Sequence, residues 1–285
     1  MVYWSRAPVS RPPTPRPLNS FIRALPALAL VASFSACLDV GLPETTQAGF
    51  LSVSSHSDGA AGYFAIPEAT FYANVSLVVS TPPTDSCFIA PILSTVGNTT
   101  TLPTIEAGPV VFTRIGTRED TLLAAVTSGS ITYRPRFGNR IPFTPGDSMD
   151  ITVPGSPAGF PSVITKARTS ESFTHDPVAV PVTVQPITFT WTAAPQPRSN
   201  MVLSLRYANA QATGEVNEQI YCGFVDDGTG TIPSTLVAGW MNSLDGRRSV
   251  RATRLRTREM LVGSNRRFSF ISTFTLPLPP IPAGF

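Results

Sequence analysis

An all-β fold is what this sequence predicts, as a β-sandwich of the Ig-like or jelly-roll kind in two packed or tandem domains. Three observations carry that expectation. Apolar runs are short and bounded by Gly, Pro, Asn and Asp, with 29 Pro and 20 Gly in 285 residues. Long amphipathic helical patterns are missing. Several runs alternate with a period of two, as half-buried strands do. The hydrophobic content of 42% is ample for a core.

In chain order, residues 50–54 (FLSVS) read as a first strand and 56–60 (HSDGA) as a turn. Strand material follows at 63–66 and 70–80, and again at 87–93 (CFIAPIL) after the break TPPTDS. A polar loop is expected at 97–101, then strands at 109–115, 122–126 and 130–137. In the last of these Ile131, Tyr133 and Pro135 alternate with polar neighbours, and Pro135 argues for an edge position. Pro145-Gly146-Asp147 is a turn before a strand at 149–153.

Residues 154–161 (PGSPAGFP) are the expected boundary between an N-terminal β domain, 48–154, and a C-terminal Ig-like domain, 162–276. Beyond it, strands are expected at 162–167, 178–184, 187–191 and 201–207, the last two pairing across a Pro-rich turn. A buried-type strand at 219–225 ends in the turn Asp226-Asp227-Gly228. Residues 232–244 hold the helical stretch, with Pro233 near its start. Residues 248–258 and 267–276 are the closing strands, and Phe268, Phe270, Ser272, Phe274 and Leu276 share one face. A Pro-rich tail, 277–285, is expected to leave the ladder.

The N-terminus has a different character. Arg6, Arg11, Arg16 and Arg23 precede an apolar run at 24–34, which leads through Ser35 and Ala36 to Cys37. A basic stretch, a short apolar stretch and small residues read as a secretory signal, 1–36. The 11-residue run is short of the roughly 20 residues that cross a hydrocarbon core. The pattern resembles the bacterial lipoprotein signal, with Phe34 where Leu is usual. That resemblance implies lipidation of Cys37 by fatty-acyl chains such as palmitate, a tether at 37–47, and an envelope location. An ordinary secretory signal is the alternative.

Charge is read after that segment is set aside. Four of the 21 basic residues and none of the 18 acids precede Cys37, which leaves 17 basic against 18 acidic side chains. The sequence pI near 9.0 therefore gives no argument for a nucleic-acid partner. With Cys37 lipidated, Cys87 and Cys222 remain, as a disulfide in an oxidising compartment or as two separate buried thiols.

A further resemblance rests on Trp191-Thr192, then MVLSLRY, then IYCGFVDDGTGTIPSTLVAG, with Asp85-Ser86-Cys87, Ile105-Glu106-Ala107-Gly108 and Phe143-Thr144-Pro145-Gly146-Asp147 earlier. It is similar to a group of uncharacterised bacterial secreted β-rich proteins and lipoproteins, over roughly residues 85–276. The resemblance implies the sandwich and brings no activity.

Catalytic and metal motifs are missing from the sequence. His56 and His175 stand far apart, too few for a metal cluster. Adjacent carboxylates occur at Glu119-Asp120, Asp147 with Asp150, Glu215 with Glu218, and Asp226-Asp227. They read as turn residues, with a glycosidase pair or a calcium loop at 226–230 as the functional alternatives. Trp191 and Trp240 read as core. Arg254, Arg256 and Arg258 share one strand face, either a stripe for an anionic polysaccharide or headgroup, or a solvated face. The expectation is a non-catalytic binding or structural module with no cofactor, on a membrane, with a polysaccharide or envelope protein as partner. A hydrolase using dispersed carboxylates is the alternative.

Overall fold

A computed structural model describes residues 47–57, 62–73, 84–92, 102–114, 118–127, 129–135, 141–142, 144–196, 199–209 and 216–278. The signal at 1–36, Cys37, the tether to residue 46, the loop at 97–101 and tail residues 279–285 lie outside them. The chain is all-β with one short α-helix among the described residues.

β1 (Gln47–Ser57) and β2 (Tyr63–Ala73) form a hairpin, Gln47 opposite Ala73 and Ser57 opposite Tyr63. His56, expected in a turn, is thus a strand residue. β3 (Ser86–Pro91) follows. β4 (Val110–Arg114), β5 (Arg118–Thr127) and β6 (Ser130–Pro135) form a meander, and β7 (Ile141–Pro142) pairs with β2. β8 (Ser148–Val153) and β9 (Val163–Arg168) are the next hairpin. Then come β10 (Ile187–Thr190), β11 (Ser199–Tyr207), β12 (Glu218–Val225), β13 (Thr229–Ile232), α1 (Ser234–Asn242), β14 (Ser249–Leu261) and β15 (Arg266–Leu278).

Twelve strands run in the order β3-β12-β11-β14-β15-β1-β2-β6-β5-β4-β8-β9, and β10 with β13 makes a separate two-stranded sheet. The pairings are antiparallel except β1 with β15, which is parallel. β1 is therefore internal, between the last strand and the second.

Several expectations change here. β10 pairs with β13, not β11, with Ile187 opposite Ile232 and Thr190 opposite Thr229. β11 is instead a central strand between β12 and β14, buried on most positions of both faces. Residues 178–184 form no strand, although Val178 and Val180 are buried. Pro135 is not at a sheet edge, because β6 lies between β5 and β2. It is tolerated as the last residue of the strand. Pro277 remains in β15 opposite Arg251, beyond Phe274, the last residue paired with β1. The expected boundary at 154–161 is the connection between two strands of one ladder, β8 and β9.

The buried side chains form two clusters, and they part at a different place. The first gathers the inner faces of β1, β2, β4 to β6, β8 and β9, with Phe268 and Phe270 from the start of β15. Burying each large apolar side chain contributes about 1.5–3 kcal/mol. The second lies between the β3-β12-β11-β14-β15 layer and a cover made of β10, β13 and α1. Phe274 and Leu276, further along β15, belong to it. One face of β15 thus serves both cores, with buried Ser272 between them. Layered sheets over these cores are the sandwich-like arrangement expected.

Local details follow from residue type. In α1, Val237 and Trp240 sit three apart and face inward. Arg248 closes its C-terminal end, donating from Nε to the Ser243 carbonyl at 2.9 Å and from Nη2 to the Met241 carbonyl at 3.0 Å. Gly230 is where β13 meets β12: a Cβ there would lie 2.7 Å from the Phe224 ring. No helix among the described residues is long and apolar enough to cross a membrane.

Candidate functional site

The arginine strand was the most charged candidate, and the structure redirects it. Val250, Ala252, Arg254 and Arg256 share the inner face of β14. The three arginines do share a face at their positions, but that face points into the molecule over most of its length. Arg254 is 0% exposed and Arg256 8%, while Arg258 is exposed.

Arg254 meets Asp226 bidentately, Nε to Oδ2 at 2.6 Å and Nη2 to Oδ1 at 3.0 Å. Its Nη1 donates to the Ser172 carbonyl at 2.9 Å, its Nη2 also to the Thr192 carbonyl, and its guanidinium lies 5.2 Å from the Phe173 ring centre. Asp226 accepts two more bonds, from Trp191 Nε1 at 2.7 Å and Ser199 Oγ at 2.6 Å. Arg256 holds Glu171 through Nε and Nη2, both at 2.9 Å, and donates to the Gln196 carbonyl at 2.9 Å. Arg168 approaches Glu171 at 3.2 Å. These cations are already neutralised and hydrogen-bonded, so Arg254 and Arg256 do not form a surface for an anion. Arg258 donates to the Lys166 carbonyl.

These pairs line the junction between the two cores. There Ser170 N donates to Ser272 Oγ at 2.9 Å, and Ser170 Oγ to the Ser272 carbonyl at 2.7 Å. Asp226 directly follows β12 and Glu171 follows β9, so distant strands meet at β14. Burial of 219–225 was readable in the sequence. A carboxylate just after such a strand was the one clue to the pair.

Cys87 and Cys222 face each other across β3 and β12 and are joined by a disulfide. Of the two alternatives kept open, the bonded form is the one in the structure. It fastens the edge strand β3 to the sheet across 135 positions of sequence.

The candidate carboxylates do not converge. Asp227 Oδ1 accepts Thr229 N at 3.2 Å within the turn, where Gly228 has φ of 104°. Asp150 is exposed beside Lys166 at 3.6 Å. Asp147 accepts through its backbone carbonyl from Thr169 N and Thr169 Oγ1. Glu218 takes a 2.8 Å bond from Tyr207 Oη and a 2.7 Å bond from Asn209 Nδ2. Burial, and then that carboxylate, push the Tyr207 phenol well above its usual range. Burial also raises Tyr133, whose Oη accepts from Ala107 N at 2.8 Å. Glu215 lies outside the described residues, as does the Glu119 side chain. Among the described residues no group of three or more His, Cys, Asp and Glu could hold a metal.

His56 stacks on Phe64 at 5.3 Å, and Trp191 and Trp240 are buried, as core residues should be. His175 lies elsewhere, in an isolated bridge with Trp191. In the structure it borders a groove of about 390 Å³ together with Asp176, Thr174, Thr190 and Thr192. A second hollow of about 290 Å³ shares Thr174 and Thr192 with it, so the two lie side by side. The groove opens beside the Arg254 cluster: Thr192 lines it and gives its carbonyl to Arg254. No family model matches the chain, and no curated protein matches it.

Proposed function

We propose that this chain is an exported, lipid-anchored module of the bacterial envelope that binds a partner without catalysing a reaction. The observation that supports export most directly is the bond between Cys87 and Cys222, since disulfides persist in oxidising compartments. The signal-like segment ending at Cys37 supports the same reading from sequence. Binding is favoured over hydrolysis by the dispersal of the carboxylates. A two-carboxylate mechanism needs both groups on one cleft, about 5–9.5 Å apart. Asp226 is instead locked to Arg254, Asp227 caps its turn, and Asp150 stands on the outer side of β8.

The test is expression of the full chain in a bacterial host fed labelled palmitate, followed by membrane fractionation. Label on the wild type, and loss of both label and membrane association in Cys37→Ser, is the expected result. Unlabelled protein in the cytosol with both remaining cysteines reduced would overturn the proposal.

A further inference from the structure

We infer that the groove beside the core junction is a binding site for an uncharged glycan chain. The inference rests on the reading of a non-catalytic binding module and names its ligand class. Its two hollows, of about 390 and 290 Å³, are each near the lower end of small-molecule sites, about 300–1,000 Å³.

The two halves differ in chemistry. One has an apolar floor of Phe173, Phe274 and Leu276. At its rim stands Tyr63, 40% exposed, edge-on to Phe274 at 5.7 Å between centres. An aromatic surface of this kind matches the C–H face of a pyranose ring. The other half is a polar wall in which acceptors outnumber donors. Thr190 Oγ1 gives its hydrogen to Asp176 Oδ2, which leaves the hydroxyl lone pairs for a ligand. The Thr174 and Thr192 hydroxyls bond to each other, which spends one hydrogen and leaves the other hydroxyl free to donate as well as accept. His175 Nδ1 lies 2.9 Å from the Asp176 carbonyl, which can only accept, so Nδ1 carries the hydrogen. In the neutral ring Nε2 is then an acceptor too.

A wall rich in acceptors requires a ligand rich in donors, and sugar hydroxyls supply them. Among the described residues lining the wall, Asp176 is the acidic one. It repels uronic or sulfated polymers, the opposite preference to the one expected of the arginine strand. A cationic peptide would satisfy the carboxylate but would leave the apolar floor uncovered.

Purified, disulfide-bonded full-length protein in detergent is titrated with cellohexaose, maltohexaose and chitohexaose, with hexagalacturonate and hexalysine as charged probes. Tryptophan fluorescence, to which Trp191 at the groove contributes, and calorimetry report binding. The expected result is saturable binding of at least one neutral hexasaccharide, weakened about tenfold or more by Tyr63→Ala and by Asp176→Ala. Tyr63→Phe retains it, and Arg251→Ala, on the outward face of β14, leaves it unchanged. Failure of all three neutral probes to bind overturns the inference. So does tighter binding of either charged probe, or full binding by Tyr63→Ala. Cys37 labelling is unaffected by any of these outcomes, so the site can fail while the anchored-module reading stands.

Discussion

The core beneath β1, β2, β4–β6, β8 and β9 and the core beneath β3, β10–β14 and the far part of β15 are built from similar strands and held by different means. The first relies on ring packing: Phe71 meets Tyr133 at 5.4 Å and Phe160 at 4.8 Å, and Phe160 reaches Phe268 at 6.5 Å. Its ion pairs, Arg134–Glu68 and Lys166–Asp150, are on the outside. The second adds a disulfide, a helix cover and the inward Arg254–Asp226 pair, with Arg256–Glu171 at the junction. Desolvating two charges is costly, and their attraction offsets that cost only when every donor and acceptor is used. Asp226 and Arg254 come close to that condition through Trp191, Ser199, Ser172 and Thr192, with each guanidinium nitrogen and both carboxylate oxygens bonded. The comparison shows that an all-β chain can close one core by shape and the next by specific bonds.

The largest effect should come from breaking the second core's ion pair. Asp226→Ala leaves Arg254 buried without its counter-charge and should cost about 3–5 kcal/mol in denaturant unfolding. A loss below about 1 kcal/mol would mean that the pair is not closed off from water as described. Joint Cys87→Ser and Cys222→Ser substitution comes next, at about 2–5 kcal/mol for a long closed loop. Hydrogen exchange should rise first in β3 and β12, and much less in β4–β9. Equal loosening of both regions would dissolve the distinction between the cores.

Alkaline pH gives a further expected asymmetry. The Tyr207 phenol is held neutral in the fold by burial and by Glu218, so its folded pKa lies above the unfolded value near 10. Its contribution is complete below about pH 10 and is lost as pH rises through the folded pKa. Tyr207→Phe should flatten the decline in stability above pH 10, followed by phenolate absorbance and unfolding together. The smallest effect belongs to Arg258→Ala, expected within about 0.5 kcal/mol because the side chain is exposed. Arg254→Ala should be far more damaging, although both arginines belong to one alternating face of the strand.

That contrast between two arginines four positions apart on one strand marks how far the sequence could be read. Period-two alternation identifies residues that share a face, so the Phe268–Leu276 face and most strand positions were legible. Composition and turn residues located the Asp226-Asp227-Gly228 turn and the helix. Alternation does not say whether a face looks outward, and the β14 face contains both Arg254, fully buried, and Arg258, exposed. Pairing partners were also beyond reach. β10 chose β13 rather than its sequence neighbour β11, because β11 was already taken on both edges by β12 and β14. The groove was illegible for the same reason: Tyr63, Asp176 and Phe274 carry no shared local signal and meet only through the topology.

The parallel pairing of β1 with β15 has a consequence for how the molecule is made. Gln47 and Arg266, which are hydrogen-bonded at 2.8 Å, are 219 positions apart. A chain synthesised from its N-terminus therefore carries β1 without one neighbour until the 219 positions that separate Gln47 from Arg266 have emerged. Loop closure over such a span is entropically costly, and non-local pairings of this kind slow folding. The sheet completes late and at one place, with the arrival of the β14–β15 hairpin. Until then β1 is available to be threaded, held by a chaperone or mispaired, and a chain truncated before residue 266 would lack the strand that joins the two cores.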